Sequence, residues 1–332
     1  MHSFVAEMLQ CPACHGGLTW QVDSRENERV VHAEASCRSC SATYPVRDGI
    51  GIFLTPDLPR NDYWEASGSG LHNYLRDHPD IEQQLMGAPI ESLNPTDQYF
   101  RASMLALAGR YAEAEDGQRI AFTGLYTQEQ REVTRQQFEH LVGALAGYDG
   151  PIVDLACGTG QLAQTTLRRL PNPVLMTDFS PRVLRENRLR LMASGLYDKV
   201  SLLSFDARRT PFRDGVVRVM TTYAGLGNIE QPGALLRELR RAVSGHFLAL
   251  SHFCPEDDPV NGDFLRQAGM EQMFFRRLAL QNFTAAGWQV EMSHAVRARV
   301  VPTPPSDLIP DATVDGFPVA PSEFELCVLD AH

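Results

Sequence analysis

One stretch constrains this chain more than any other: Ile152-Val153-Asp154-Leu155-Ala156-Cys157-Gly158-Thr159-Gly160-Gln161-Leu162. An apolar run ends in a carboxylate. Two glycines follow, one residue apart, and a helix-compatible segment begins. That order reads as strand, tight turn, helix. Glycine lets backbone come close to a ligand because no Cβ blocks it. The helix start behind the turn offers N–H groups without intrahelical partners. Set between a buried-type strand and a helix, the pair has the context of a nucleotide-type site. The third glycine of the dinucleotide fingerprint is absent, and so is the Lys-Ser/Thr of a phosphate-binding loop.

The sequence beyond it alternates as a doubly wound fold should. Strands are expected at 151–156, 174–178, 200–205, 216–222 and 247–251, with two more at 288–296 and 324–330. Helices fall between them, at about 160–170, from Ser180-Pro181 to Gly195, from Pro232-Gly233 to Val243, and over 264–286 up to Gly287. Serine caps and proline opens a helix, while glycine closes one. The segment resembles motif I of class I S-adenosylmethionine-dependent methyltransferases, and the similarity runs through roughly residues 150–332. It implies an α/β fold with a seven-stranded doubly wound sheet.

The resemblance also implies roles along the carboxyl ends of the strands. Gly158 and Gly160 would let backbone approach the methionine and ribose parts of the cofactor. Asp154 would meet its amino end, directly or through water. Asp178, 18 residues beyond Gly160, ends the second strand, where a carboxylate can accept both ribose hydroxyls. Phe179 would pack against adenine. Asp206-Ala207 ends the third strand, where a carboxylate can accept the adenine amino group. Any one aspartate also reads as a helix cap or a solvated loop residue; three at successive strand ends point to the cofactor.

Strand four ends Thr221-Thr222-Tyr223-Ala224, followed by Gly225-Leu226-Gly227-Asn228. The Asn/Asp-Pro-Pro-Tyr signature of many amino-group methyltransferases is not there. Tyr223 and Asn228 are candidates to face the transferred methyl; the other reading is that they hold the loop and Thr222 touches the cofactor. Methyl transfer is an in-line displacement from a neutral leaving group, so alignment is the main task. A base helps only when the acceptor must lose a proton. His252, after strand five, is the candidate base, since histidine titrates near neutrality; the other reading is a loop histidine. Asp257 and Asp258 read as a solvated turn before Pro259, and His294 as a strand residue without chemistry. The connection 301–322 carries six prolines, at 302, 304, 305, 310, 318 and 321. A loop this long in a compact domain is often functional, and it is expected to help form the acceptor pocket.

The N-terminus is a different module. Cys11-Pro12-Ala13-Cys14 is followed, after 22 residues, by Cys37-Arg38-Ser39-Cys40. Two such turns with a hairpin between them can deliver four thiolates to a tetrahedral zinc ion, a closed site with no open position for chemistry. Disulfides, or a ribbon without metal, are the other readings. His15 adjoins a knuckle but is not needed by a four-cysteine site. The run Tyr44-Pro45-Val46-Arg47-Asp48-Gly49-Ile50-Gly51-Ile52-Phe53-Leu54 sharpens the reading. Residues 5–55 resemble the small zinc-ribbon family whose eukaryotic members bind and activate tRNA, rRNA and release-factor methyltransferases. The sequence departs from it at Gly51, where that family often has proline. The resemblance implies a stabilising or positioning module, here fused in cis.

The expected division is a zinc ribbon at 1–58, a linker and helical cap at 59–147, and a cofactor-binding core at 148–332. The prolines, glycines and serines of 55–72 read as linker. Asn94-Pro95-Thr96-Asp97 opens one cap helix and Gln128–Leu145 forms another, interrupted before it by Gly124-Leu125-Tyr126-Thr127. Tyr126 is a candidate to lie over the methionine part of the cofactor. No stretch nears the roughly 18 apolar residues of a membrane span, and no signal peptide is visible, so a cytoplasmic location without a membrane partner is expected. The net charge of −11 and a single lysine, Lys199, disfavour a nucleic-acid partner. The preferred reading is methyl transfer from S-adenosylmethionine to a small-molecule acceptor, with zinc in the ribbon. An rRNA or tRNA methyltransferase and a non-catalytic cofactor-binding adaptor are the alternatives. Oligomeric state is not legible.

Overall fold

The computed structural model describes residues 1–58 and 63–332, the side chains of 63–69 excepted. Helix α1 (Ser3–Met8) leads into strands β1 (Leu18–Glu26), β2 (Arg29–Cys37), β3 (Thr43–Arg47) and β4 (Ile50–Ile52). Then come helices α2 (Tyr63–Asp77), α3 (Pro79–Gly87), α4 (Pro95–Leu107), α5 (Tyr111–Leu125) and α6 (Gln128–Leu145). The remainder runs β5 (Ile152–Asp154), α7 (Gln161–Arg169), β6 (Val174–Asp178), α8 (Pro181–Ala193), β7 (Val200–Ser204), β8 (Val217–Tyr223), α9 (Pro232–Ala242), β9 (Val243–Phe253). It closes with α10 (Pro259–Ala268), α11 (Glu271–Phe274), α12 (Arg276–Ala285), β10 (Val290–Val300) and β11 (Ser322–Ala331). Among the described residues no helix is long and apolar enough to cross a membrane.

The expected seven-stranded sheet is corrected to a continuous sheet of eleven, in the order β1-β2-β3-β4-β7-β6-β5-β8-β9-β11-β10. Strands β5 to β11 supply seven. The ribbon adds its four because β4 lies parallel to β7, with Ile50, Gly51 and Ile52 opposite Leu202, Leu203 and Ser204. This joint explains Gly51. A Cβ there would lie 2.7 Å from Leu203 Cδ2 and 3.0 Å from the Phe53 ring. Arg29 fastens the same edge. Its guanidinium donates to the Val200 carbonyl at 2.6 Å and lies 4.1 Å over the Tyr197 ring. One hydrophobic core runs through both parts, with Val5, Leu9 and Phe53 of the ribbon packed alongside Val153, Phe205 and Phe212.

Three local expectations change. The linker reading of 55–72 gives way to α2 from Tyr63 onward, and 59–62 lie outside the described residues. Propensity is a weak prior that packing overrides: Leu75 is fully buried against Leu85, Phe100 and Ile309. The single helix over 264–286 is three, since Gly269 ends α10 in the left-handed region at φ 68°. Asp258 is no solvated turn. Its carboxylate caps α10 through the N–H groups of Val260 and Asn261 and accepts from Ser322 Oγ at 2.6 Å.

The proline-rich connection is laced to the cap. Asn94 Nδ2 donates to the Pro305 carbonyl at 2.9 Å, and Asp97 Oδ2 accepts from the Asp307 N–H at 3.0 Å. Thr127 Oγ1 donates to the Arg299 carbonyl at 2.6 Å. Cap and loop thus form one wall over the carboxyl ends of the strands.

Candidate functional site

Beneath that wall lies a cavity of about 1720 Å³, floored by the ends of β5, β6, β8 and β9. The turn after β5 is built for close approach. Ala156 takes a left-handed φ of 50°, Gly158 of 48° and Gly160 of 81°. A non-glycine residue there costs free energy and marks a site where the surroundings enforce it. A Cβ on Gly160 would meet Met176 Cε at 2.7 Å. Asn187 Nδ2 holds the Gly158 carbonyl at 2.7 Å, and Arg190 holds that of Thr159 at 3.0 Å.

Asp154 is buried, with Oδ1 accepting from Thr221 Oγ1 at 3.1 Å. Its Oδ2 is buried without a hydrogen-bond partner. Burial pushes its carboxyl up to about 7; the Thr221 hydrogen bond opposes this and the Asp178 charge adds to it. An orphaned carboxylate oxygen at a cavity wall is a ready partner for a cation. Asp178 Oδ2 accepts from the Gly158 N–H at 2.9 Å and Oδ1 from the Ser180 N–H at 3.0 Å. Its carboxylate is thereby fixed at the turn, and a carboxylate oxygen can accept more than one hydrogen bond. Phe179 and Ala207 line the same cavity.

Two candidates stand differently from expectation. Asp206 is locked to Arg208, with Nη2 to Oδ2 at 2.7 Å and both side chains under a tenth exposed. Arg208 therefore competes with an adenine amino group for that carboxylate. Thr222 is fully buried and its hydroxyl donates to the Leu155 carbonyl at 2.8 Å, so it braces the turn from behind rather than facing the cavity.

Tyr223, Asn228 and His252 all line the cavity. The Tyr223 ring meets Phe138 edge-on at 5.0 Å and His252 at 5.8 Å. The expectation that His252 titrates near neutrality is corrected: burial pushes it down to about 4. Its ring is neutral in ordinary assays, with Nε2 buried and without a partner. It can accept a hydrogen bond but is a weak base. His294 sits at a break in the β10 register at φ 47° and stacks on His140 at 3.8 Å.

Asp315, in the proline-rich loop, was not singled out from sequence. It lines the cavity and accepts from the Tyr126 hydroxyl at 2.9 Å. Burial raises its pKa, and the Tyr126 hydrogen bond partly offsets this. Tyr126 is pinned by that bond to the wall. A lone aspartate between prolines has no periodicity to flag it; only the length of its loop hinted at function.

At the far end of the sheet, the Sγ atoms of Cys11, Cys14, Cys37 and Cys40 all lie within 4.8 Å of one another. Cys11 and Cys40 are 3.6 Å apart, and Cys14 and Cys37 3.4 Å. Four sulfurs at about 2.3 Å from a tetrahedral zinc stand about 3.8 Å apart, so the donor set fits that ion. The Ser39 N–H points at Cys37 Sγ from 3.3 Å, as a thiolate would require. His15 is not part of the cluster.

Residues 152–245 match the family model of a methyltransferase domain, and residues 2–49 that of Trm112p-like protein. The ubiquinone/menaquinone biosynthesis C-methyltransferase of Cupriavidus metallidurans is 35% identical over 94 residues, covering 28% of this chain and 38% of that protein. Its counterpart in Paraburkholderia phymatum is 34% identical over 113 residues, covering 33% and 45%. The chain thus spans less than half the length of these curated relatives. A geranyl diphosphate C-methyltransferase structure from Streptomyces coelicolor is similar at 18% identity and a TM-score of 0.43, covering 59% of this chain and 77% of that one. The likeness to a methyltransferase domain thus lies in residues 152–245, which supply the floor of the cavity, and the likeness to Trm112p-like protein in residues 2–49, which hold the cysteine cluster.

Proposed function

We propose that this protein transfers a methyl group from S-adenosylmethionine to a small-molecule acceptor, with a structural zinc ion in its ribbon. The observation that carries the reading is the cradle of Asp154, Gly158 and Asp178 opening into a cavity of about 1720 Å³. Pockets for one drug-sized ligand run to about 1,000 Å³, so the cavity has room for a cofactor and a sizeable acceptor together. Asp154 Oδ2 would take the cofactor's ammonium, Asp178 its ribose hydroxyls and Phe179 its adenine. Gly160 shapes the turn, and Thr222 braces it. The cofactor supplies an electrophilic methyl group; the chain holds the acceptor in line and keeps water out. Tyr223 and His252 stand where an acceptor group can be oriented, His252 as a hydrogen-bond acceptor. The division into ribbon (1–58), cap (59–147) and core (148–332) assigns the acceptor chamber to cap, loop and core jointly. Aromatic lining from Tyr99, Phe122, Phe138 and Phe317 suits an acceptor with a large apolar part. The relatives are named C-methyltransferases, which makes a carbon a candidate acceptor atom.

The first test is isothermal titration with S-adenosylmethionine and S-adenosylhomocysteine, with zinc measured on the same sample. One cofactor site and about one zinc per chain are expected. Zinc without cofactor binding would overturn the reading; cofactor binding without turnover on acceptor panels would favour an adaptor.

Cofactor affinity should rise with pH between about 6 and 7.5. With its pKa near 7, Asp154 is largely protonated at pH 6, and binding an ammonium requires it to ionise, releasing a proton. Above about pH 8 the ligand's own amino group loses its charge and affinity falls again. Titrations in buffers of different ionisation enthalpy check the proton release. The stability of the cofactor-free protein has the opposite trend. The folded-state pKa lies above the ordinary value of 3.8, so this group's contribution falls as pH rises from about 4 through 7.

Asp315→Asn is expected to raise the acceptor KM about 10- to 100-fold, the worth of one hydrogen bond to a charged group, with cofactor affinity unchanged. Steady-state kinetics and titration on the same variant separate the two. An equal loss of both would make the loop structural.

A further inference from the structure

We propose that His246, Asp330 and His332 form a second metal site, for a borderline divalent transition ion, distinct from the cysteine cluster and from the cavity. Their ligand atoms all lie within 4.8 Å of one another. The sheet register puts them together. Strand β11 runs antiparallel to β9, with Asp330 opposite Leu248 and Ala331 opposite Phe247. One step further brings His332 opposite His246. Residues two apart on a strand share a face, so Asp330 and His332 point to the side that Leu248 and His246 occupy. His332 is held in place by a reciprocal pair of backbone bonds with Gln289, each 2.9 Å. The three side chains therefore start from fixed sheet positions rather than from a mobile loop.

The distances suit an ion. His246 Nδ1 is 2.8 Å from Asp330 Oδ1, a direct hydrogen bond that opens to about 3.3 Å when both atoms ligate one tetrahedral ion, and the two imidazole centroids are 5.9 Å apart. Two imidazoles on one tetrahedral ion, with metal–nitrogen bonds of about 2.0–2.1 Å, have centroids about 5 to 6 Å apart. Two imidazoles and one carboxylate favour zinc, nickel or copper over magnesium or calcium. Solvent completes the shell and has open access, since His246 is exposed and Asp330 about one-third exposed. An ion on Nδ1 would replace the hydrogen bond to Oδ1, the proton of the neutral ring then residing on Nε2. The site is not the catalytic one. His246 precedes His252 by six residues on β9, about 20 Å at 3.3 Å per residue, and lies toward the opposite end of that strand from the cavity. An ion there would join β9 to β11 at the ends away from the cofactor.

The test is titration of the full chain, isolated with its ribbon intact, with Ni²⁺. One Ni²⁺ per chain is expected, with affinity at least 10-fold lower in His246→Ala, in His332→Ala and in Asp330→Asn, and unchanged in His140→Ala, which probes the other histidine pair. Unfolding curves without added metal show whether the variants fold. Should any fail to fold, the wild-type chain still decides: Cu²⁺ bound to it must give an electron paramagnetic resonance spectrum with two imidazole nitrogens. Exchange of Ni²⁺ into the ribbon is recognised by its thiolate charge-transfer absorption. An isotherm that the His246→Ala/His332→Ala double variant leaves unchanged, or a copper spectrum with fewer than two nitrogens, overturns the proposal and leaves His246 and Asp330 as an ion pair only.

Discussion

Asp178→Ala is expected to lower S-adenosylmethionine affinity about 100- to 10,000-fold while the chain still folds. The carboxylate sits at the end of β6 with one oxygen on the Gly158 N–H and the other on the Ser180 N–H. In the proposed complex both also take ribose hydroxyls. A hydrogen bond to a charged group is worth about 1.5–3 kcal/mol, so losing two is worth about 3–6 kcal/mol, and each 1.4 kcal/mol is tenfold in affinity. Loosening of the glycine turn adds to the loss, while the lower bound allows for water replacing the carboxylate. Asp178→Asn separates the contributions: it keeps the volume and one acceptor but removes the charge, and should lose about 10-fold. Asp206→Ala makes the contrast. Its carboxylate is held by Arg208, so stability should suffer more than affinity. Calorimetric titration and thermal unfolding of the three variants test this together. Near-native affinity in Asp178→Ala would remove Asp178 from the ribose site.

Much of this site is written in local signals. Asp154, Gly158, Gly160 and Asp178 stand out because strand, turn and helix succeed one another around them, and the expected β6, with the Ser180 cap on α8, agrees with the structure residue for residue. The cysteine cluster is equally local, since two knuckles at fixed spacing define it. What fails is what depends on tertiary neighbours. The state of His252 is set by burial, which a sequence position does not disclose. Arg208 reaches back two residues to occupy Asp206, a choice of rotamer rather than of pattern. The role of Asp315 depends on Tyr126, 189 residues away. The merging of two sheets into one depends on three residues of β4 meeting the free edge of β7, an edge that becomes visible only when the strand order is known.

That joint makes loss of the ribbon the second large expected effect. Stripping zinc with a strong chelator should lower the midpoint of thermal unfolding of the whole chain by more than about 10 °C, not merely melt the first 58 residues. Structural zinc supplies folding free energy outright, on the order of 10 kcal/mol in small zinc-dependent domains. Here the ribbon's core is not separate: Val5, Leu9 and Phe53 pack in one cluster with Phe205 and Phe212. Melting the ribbon exposes that cluster together with the backbone edge of β7, and an exposed apolar strand edge invites aggregation. Removing residues 1–58 should therefore give a core that aggregates, and adding the ribbon as a separate chain should restore solubility. Cys37→Ser should lie between, because one ligand is lost from a set of four. Arg29→Ala tests the joint without touching the metal. It removes a 2.6 Å bond to Val200 and the contact over Tyr197, and should lower the midpoint by a few degrees with zinc content unchanged. A zinc-free chain that unfolds at the wild-type temperature and binds cofactor normally would show that the ribbon is an appendage, and that the eleven-stranded sheet does not depend on its metal.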